Sequence, residues 1–498
     1  MKLSFFDTMQ AKKVQFVPRD QGNLYMYVCG FTPNNYPHVG HARTAIMFDI
    51  IKRVFEKNGF MVHYLSNFTD IDDKIIAKAN DEGIAPKEIA EKYINLYLQG
   101  MSDLNVSPPI MFARVTENIP EIVEMISVLI SKGNAYESDG DVYFSIRSFP
   151  EYGKLSKRSI REMLIGARIE PGEKKKDPLD FALWKQAKPG EPSWDSPWGK
   201  GRPGWHIECS VMSLKHLKNG FDIHGGAQDL IFPHHENEIA QSESYTGAKP
   251  FSNYWIHTGW VTRDNEKMSK SLGNVFRIDE VLKIISPNVL RFFLISTLYS
   301  SPMEFQLSSL NQANKNFERI VITINRLNEK INLSKDGKED IELIKKFEFL
   351  SQDFNNALLD NFNTPLALSI IITTCKEINK LLDEGLADNL TLSRIKNILT
   401  EWLDTLNFKN IEKTEIKKID DNLYDKLKTI SENYSIISEN ESVEELINKL
   451  IELRNKSRNE KDFDTADNIR KDLLALNIQL EDKIDHTDYR IISDINVN

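Results

Sequence analysis

The spacing of apolar residues changes character along the chain, and each change predicts a different kind of element. Leu24-Tyr-Met-Tyr-Val-Cys29 is a β-rich run bounded by Gly22-Asn23 and Gly30, which reads as a buried strand. A turn follows at Pro33, Asn34, Asn35 and Pro37. From Gly40 to Lys57, Ala42, Ala45, Ile46, Ile50 and Val54 recur at helical spacing, and Asn58-Gly59 ends the pattern. Phe60-Met-Val-His-Tyr-Leu65 reads as the next strand. Strand, helix, strand at this spacing is a βαβ unit and predicts an α/β domain with a parallel sheet.

The rhythm breaks from about Arg147 to Pro203, where Lys, Gly, Pro and Trp crowd together, as in Lys174-Lys175-Lys176 and Trp194-Asp-Ser-Pro-Trp-Gly199. This stretch reads as an irregular insertion. The α/β pattern returns at Phe221-Asp-Ile-His224, leads to Gly225-Gly226 and continues to about residue 260. Beyond about residue 304, Gly and Pro nearly vanish and Leu, Ile, Lys, Glu and Asn repeat at helical spacing, predicting an all-helical region. The polar run from Ser431 to Glu445 reads as a linker to a last small unit near Val443 to Tyr489.

Composition narrows the picture. Hydrophobic residues make up 41% and charged residues 27% of 498, ordinary for a globular protein. Three cysteines exclude a disulfide scaffold and suit a reducing compartment. The N-terminus is read as neither signal nor transit peptide, and no run reaches the about 18 apolar residues that span a bilayer. The expectation is a cytoplasmic chain with no membrane contact. Its 63 basic and 73 acidic residues leave a net charge of −10, so any nucleic acid must be recognised locally. No G-x-G-x-x-G or Walker A pattern occurs, which removes those phosphate-binding routes.

Two short motifs carry chemistry. His38-Val-Gly-His41 follows a predicted strand and opens a helix, where free N–H groups and the positive dipole end favour an anion. Its bland alternative is a pair of helix-capping histidines. Lys267-Met-Ser-Lys-Ser271 lies in a polar stretch, and its two lysines suit a polyphosphate, although a solvated charge run is the common fate of such a segment. Together and in this order, H-x-G-H and KMSKS resemble the two signatures of class I aminoacyl-tRNA synthetases, with Val39 in place of isoleucine.

Cys29, Cys209, His234 and Glu238 are a plausible metal set by type, but 180 residues separate the two thiols and spacing alone does not establish a site. The stretches Cys29-Gly30, Asn67-Phe-Thr-Asp-Ile-Asp-Asp-Lys-Ile75, Asp177-Pro-Leu-Asp-Phe-Ala-Leu-Trp-Lys185, Trp205, Cys209, His224-Gly-Gly226 and His234-His-Glu-Asn-Glu238 resemble the cysteinyl-tRNA synthetase family in particular. That resemblance implies one Zn2+ per chain held by Cys29, Cys209, His234 and Glu238. It implies a cysteine pocket lined by Thr69, Trp205 and His224. It also implies catalysis by His38, His41, Lys267 and Lys270, and ATP held by His38, Gly40, His41, Lys267 and Lys270, with Gly226 and Asp229 toward ribose and adenine. ATP is expected with Mg2+, and the partners are L-cysteine and tRNA(Cys), the chain acting as a monomer.

The corresponding layout is a Rossmann-type catalytic domain at 1–260, with an insertion at about 120–203. A KMSKS loop and connecting helical segment follow at 261–310. A helical bundle for the anticodon arm spans 311–430, and a small anticodon-binding domain spans 443–498. Asp360-Asn-Phe-Asn-Thr-Pro365 and Ala466-Asp-Asn-Ile-Arg470 match segments of those last two parts. Departures from the family pattern are Phe31, Pro33-Asn34, Asn118 and Tyr489, the last expected to keep a stacking surface where the family has Trp. Three other readings stand beside this one: a related ligase that joins cysteine to an amino sugar, a non-catalytic zinc- and RNA-binding relative, and a zinc hydrolase. His235-Glu-Asn-Glu-Ile239 lacks the second histidine that the hydrolase motif requires.

Overall fold

The computed structural model describes the chain apart from residues 1, 166–173, 264–265, 268–275, 333–336, 415–422, 437–442, 477, 483–486 and 492–498. The predicted βαβ unit is present as β1 (Asn23–Phe31), α1 (Val39–Lys57) and β2 (Met61–Phe68). Further along lie α2 (Asp73–Glu82), β3 (Met111–Arg114), α3 (Ile207–Leu217), β4 (Phe221–Ala227), α4 (Glu236–Thr246) and β5 (Ser252–Thr258). The five strands form one parallel sheet in the order β5-β4-β1-β2-β3.

Strand β1 is apolar on both faces because both are covered. Leu24, Met26 and Val28 share a core with the α1 residues Ile46, Ile50 and Val54, while Tyr27 and Cys29 point into the core built with α3. Helix α1 lies close against β4, and a Cβ on Gly225 would fall 2.2 Å from the Phe48 ring. After β1 the chain builds the sheet outward through β2 and β3, then returns to lay β4 on the other side. The strand order therefore reverses between β1 and β4, and the crevice past their carboxyl ends is where ligands bind in open α/β sheets.

The insertion is more regular than its composition suggested. Strands Ala135–Ser138, Asp141–Phe144, Phe181–Gln186 and Gly201–Pro203 form a four-stranded antiparallel sheet. The first hairpin turns on Asp139 and Gly140, both at positive φ, the conformation that tight two-residue turns require. The strands are short, and long stretches of chain separate the second from the third and the third from the fourth, which hid their alternation.

The chain leaves β5 through β6 (Val261–Arg263) and β7 (Glu266–Lys267), then α5 (Ile278–Ile284), α6 (Pro287–Leu294) and β8 (Met303–Glu304). The expected helical region follows, with helices Leu307–Asn332, Ile341–Leu359, Thr364–Glu384 and Asn389–Thr405. Leu423 and Leu427 share a core with Leu446, Ile447 and Ile469, so the helix Leu423–Asn433 packs with the terminal unit. That unit ends in a hairpin, Ile478–Asp482 with Thr487–Ile491. Tyr489 is buried in this small core with the Lys283 ammonium 5.0 Å above its ring, so the expected stacking surface is not exposed.

One buried ion pair ties α1 to the helical region. Arg291 on α6 donates to Asp49 Oδ2 (2.5 Å) and to the carbonyls of Leu406 (2.7 Å) and Leu104 (3.1 Å). Asp49 also accepts from Arg53, Asn407 and the Ser107 amide. Burial works to raise the Asp49 pKa, but Arg291 and Arg53 hold it below its ordinary value. On Arg291 the balance is opposite, with burial lowering its pKa against the pull of Asp49. Arg291→Met should cost roughly 3–5 kcal/mol, read as a lower urea midpoint, because it strips a buried carboxylate of its main partner. Asp49 titrates below its unfolded value, so its contribution is present above pH ~4 and lost in more acidic solution. The gap between parent and Asp49→Asn should therefore narrow as pH falls below ~4.

Candidate active site and metal centre

A cavity of about 370 Å³ opens at the carboxyl ends of β1 and β4. Cys29, Cys209, His234, Thr69 and Trp205 line one end and His38, Gly40 and His41 the other, with Asp229 and Trp260 also on the wall. Residues far apart in sequence meet here because parallel strands deliver their ends to one edge of the sheet.

At the first end, Cys29 closes β1, Cys209 lies in the first turns of α3, and His234 and Glu238 straddle the start of α4. One ligand atom from each of these four residues lies within 4.8 Å of the others. His234 Nε2 is 3.0 Å from Glu238 Oε1, and the Cys29 thiol donates to the same oxygen (3.3 Å). A second group, Cys29, His224, His235 and Glu238, meets the same distance condition. Only Cys29 of that group reaches the cavity wall, whereas Cys29, Cys209 and His234 of the first all do. The first group is the one a ligand in the cavity can touch. Two sulfurs, an imidazole and a carboxylate fit a borderline transition metal and do not suit Mg2+ or Ca2+.

The electrostatics agree with a metal site. Burial and the neighbouring Cys209 and Glu238 push the Cys29 thiol well up. The hydrogen bond from Cys29, aided by His234, holds Cys209 down to about 6 despite burial. Burial opposes charge on His234, but Glu238 and Cys209 lift it to about 10. Burial opposes charge on Glu238 too, yet His224 and His234 hold it down to about 2. The Glu238 carboxylate and the Cys209 thiolate are thus already charged, and the Cys29 thiol and the His234 imidazolium hold the protons that a cation would displace.

Three further groups shape this end. Thr69 donates to Glu208 Oε2 (2.9 Å), Asn67 Oδ1 accepts from the Gly30 amide (2.9 Å), and His206 Nδ1 lies 3.0 Å from His234 Nδ1. Glu208 is buried and its pKa is raised well above the ordinary value by that burial. The Trp205 ring is 4.6 Å from that of His234 and 41% exposed, which makes it a wall of the cavity mouth.

At the second end, the histidine pair caps α1 and faces the cavity at once. His38 Nδ1 accepts from the Gly40 amide and His41 Nδ1 from the His38 amide, each at 3.1 Å. The rings stack with centroids 3.7 Å apart. With Nδ1 accepting, each neutral ring carries its proton on Nε2 and presents a donor there. Phe31 packs its ring edge-on to His41 (4.9 Å), and Asn34 lines the cavity, so two of the departures sit in the site itself.

Most sequence-predicted residues come together, with two corrections. His224 is fully buried behind Glu238, its Nε2 2.8 Å from Oε2, and does not line the cavity. It sits on the β4 face that turns toward Trp255, whose ring stacks on it at 4.5 Å. Gly226 is covered by Leu230 and His235, and Ala227 lines the cavity instead. Asp229 is on the wall as expected. The backbone of Lys267 belongs to β7, whereas Lys270 lies outside the described residues. Sequence reasoning missed Asn67, His206, Glu208 and His235. All four stood within the resemblance segments or beside their residues, but nothing local gave them a role.

A parallel sheet with its cavity at the strand reversal, H-x-G-H on the first crossover helix and a second signature beyond β5 together define a class I aminoacyl-tRNA synthetase fold. The family described as tRNA synthetases class I (C) catalytic domain matches residues 15–315, and the DALR domain family matches residues 353–408. A cysteine–tRNA ligase of Carboxydothermus hydrogenoformans is 46% identical over 480 residues, covering 96% of this chain and 98% of that one. A cysteine–tRNA ligase of Thermodesulfovibrio yellowstonii is 46% identical, covering 98% and 99%. The methionyl-tRNA synthetase of Mycobacterium tuberculosis bound by methionyl-adenylate shares the fold at TM-score 0.58 and 14% identity, over 78% of this chain and 92% of that one. The chain belongs to the cysteine–tRNA ligase family of class I synthetases.

Metal uptake here should release protons, because Cys29 and His234 both hold one in the ion-free site. Affinity should therefore strengthen as pH rises. Calorimetry in buffers of different ionisation enthalpy should show about two protons released per ion near pH 8. Release should grow as pH falls through about 6, where Cys209 also gains a proton.

Proposed function

We propose that this chain activates L-cysteine with ATP to cysteinyl-adenylate and pyrophosphate, then transfers cysteine to the 3′-terminal adenosine of tRNA(Cys). The observation that carries the reading is the convergence of Cys29, Cys209, His234 and Glu238 at one end of a cavity whose other end is the His38–His41 helix start. The ion that fits those donors is Zn2+; held by Cys29, Cys209, His234 and Glu238, it would favour the thiolate form of the substrate sulfur. Serine is nearly isosteric with cysteine, and shape or polarity in a pocket separates such pairs by only about 1–3 kcal/mol. Recognition by sulfur chemistry removes the need for a separate editing domain.

The protein's own groups then align the reactants. Thr69, fixed by Glu208, and Trp205 shape the space beside the thiol end. The α1 N-terminus, with the two histidine donors, faces the triphosphate of ATP, which enters with Mg2+. Lys267 and Lys270 are assigned to the β- and γ-phosphates, Asp229 to the nucleoside side. Displacement at the α-phosphate needs alignment and charge stabilisation more than covalent help. The helical bundle and the terminal unit are assigned to the anticodon arm. Those two units, with the DALR match at residues 353–408, favour tRNA over an amino sugar as acceptor.

Charging of tRNA with labelled cysteine and with serine tests the reading. With Mg2+ kept in excess, cysteine charging should vanish on zinc-selective chelation and return with Zn2+, and serine should fail in every condition. Serine acceptance by the zinc-loaded enzyme would refute the sulfur-recognition account. Lys270→Ala should slow cysteine-dependent ATP–pyrophosphate exchange by about 10²-fold or more while cysteine binding stays within about twofold.

A further inference from the structure

Arg43 lies on α1, two residues beyond His41, and is 1% exposed. Its guanidinium has no carboxylate partner among the described residues and is surrounded by backbone carbonyls. Nη1 donates to Gly259 (3.1 Å) and Trp260 (2.9 Å), and Nη2 to Leu298 (3.1 Å) and Ser301 (2.7 Å). Nε makes no hydrogen bond among the described residues. Burial without a counter-charge lowers its pKa to about 10. A buried cation in this state costs stability, and an apolar side chain would fill the space more cheaply. Stability alone does not account for it.

What the guanidinium holds is informative. Gly259 and Trp260 line the cavity and lead into β6, which pairs with β7 at Thr262 opposite Lys267. Leu298 and Ser301 lead into β8, which pairs with β6. The two segments are zipped by Gly259 N–H to Tyr299 O (2.7 Å) and Met303 N–H to Trp260 O (2.8 Å). The far side of the second signature is also fastened to the start of α1. The Val39 amide donates to Phe276 O (3.0 Å), the Ile278 amide to Pro37 O (3.1 Å), and Arg277 lies over the Tyr36 ring. Both ends of the segment that carries the second signature are thus anchored to the helix that carries the first.

We propose that Arg43 is a positioning residue for the ATP-using step, its planar four-carbonyl grip setting the backbone of β6 and β7 at a fixed offset from His38 and His41. The proposal rests on the activation reaction proposed above. A misplacement of about 1 Å at a reacting centre can cost 10²-fold in rate, so loosening this grip should strike ATP use and spare the thiol end. A lysine in this place keeps the charge but cannot span four carbonyls.

The test compares Arg43→Met, Arg43→Lys and Gly259→Ala with the parent. Gly259→Ala keeps Arg43 but puts a Cβ 2.3 Å from Ser301 O, which must push the zipped segments apart. Each variant is measured for bound zinc, cysteine binding without ATP, and cysteine-dependent ATP–pyrophosphate exchange. All three should retain stoichiometric zinc and cysteine binding within about twofold, while kcat/KM for ATP falls about 30- to 100-fold. Full recovery by Arg43→Lys would mean that charge alone matters and would overturn the proposal. Loss of cysteine binding in step with ATP use would overturn it too, by showing a general fold defect. Should Arg43→Met fail to fold, the other two variants decide. If the parent itself lacks cysteine-dependent exchange, the activation reading fails instead.

Discussion

The site turns on Glu238, a carboxylate with no exposed surface. Its Oε1 meets Cys29 and His234, and its Oε2 meets His224. A charge buried this deeply is tolerable only when partners surround it, and here the partners are the residues that face the cavity and those that support them. The same carboxylate holds His234 charged and, through His224, fastens the site to β4. The histidines behind it continue the support: His235 Nδ1 lies 2.8 Å from His257, and His257 2.8 Å from Thr8. The floor of the cavity is therefore a packed polar network rather than four isolated ligands.

Helix α1 joins this floor to the rest of the molecule. Its first turn is capped by His38 and His41, so the residues that face the cavity also terminate the helix. The capping and functional readings of that motif prove compatible. Further along, Arg43 grips the segments beyond β5, and Asp49 joins Arg291 and the end of the bundle. Three successive turns thus meet the cavity, the connecting strands and the helical region. Displacing α1 along its axis would disturb all three at once, which makes this helix the rigid reference of the fold.

Much of the architecture was legible in the chain. The first strand, the α1 periodicity and the disappearance of Gly and Pro after about residue 304 reported burial patterns that secondary structure imposes locally. The insertion was misread as irregular because its strands are three to six residues long and separated by turns, too short for alternation to stand out. The site was legible mainly through residue type and resemblance. His224 was placed on the pocket wall, yet it stands one layer behind, because a motif says which residues are near a site and not which atom faces it. Tyr489 was expected to keep a stacking surface, yet it is buried, because the small core that covers it leaves no mark in local spacing.

The sequence by itself determined where the βαβ unit and the helical region form, since spacing of apolar residues and turn chemistry act over a few positions. It also supplied donor types that suit a metal ion. Only the tertiary structure decided that Cys29 and Cys209 meet, that the group open to the cavity is the one with Cys209 and His234, and that Arg43 faces four carbonyls and, among the described residues, no acid. Those outcomes follow from the order of strands in the sheet and from which side of each strand is covered. Both are fixed by packing between segments hundreds of residues apart, on which local spacing is silent.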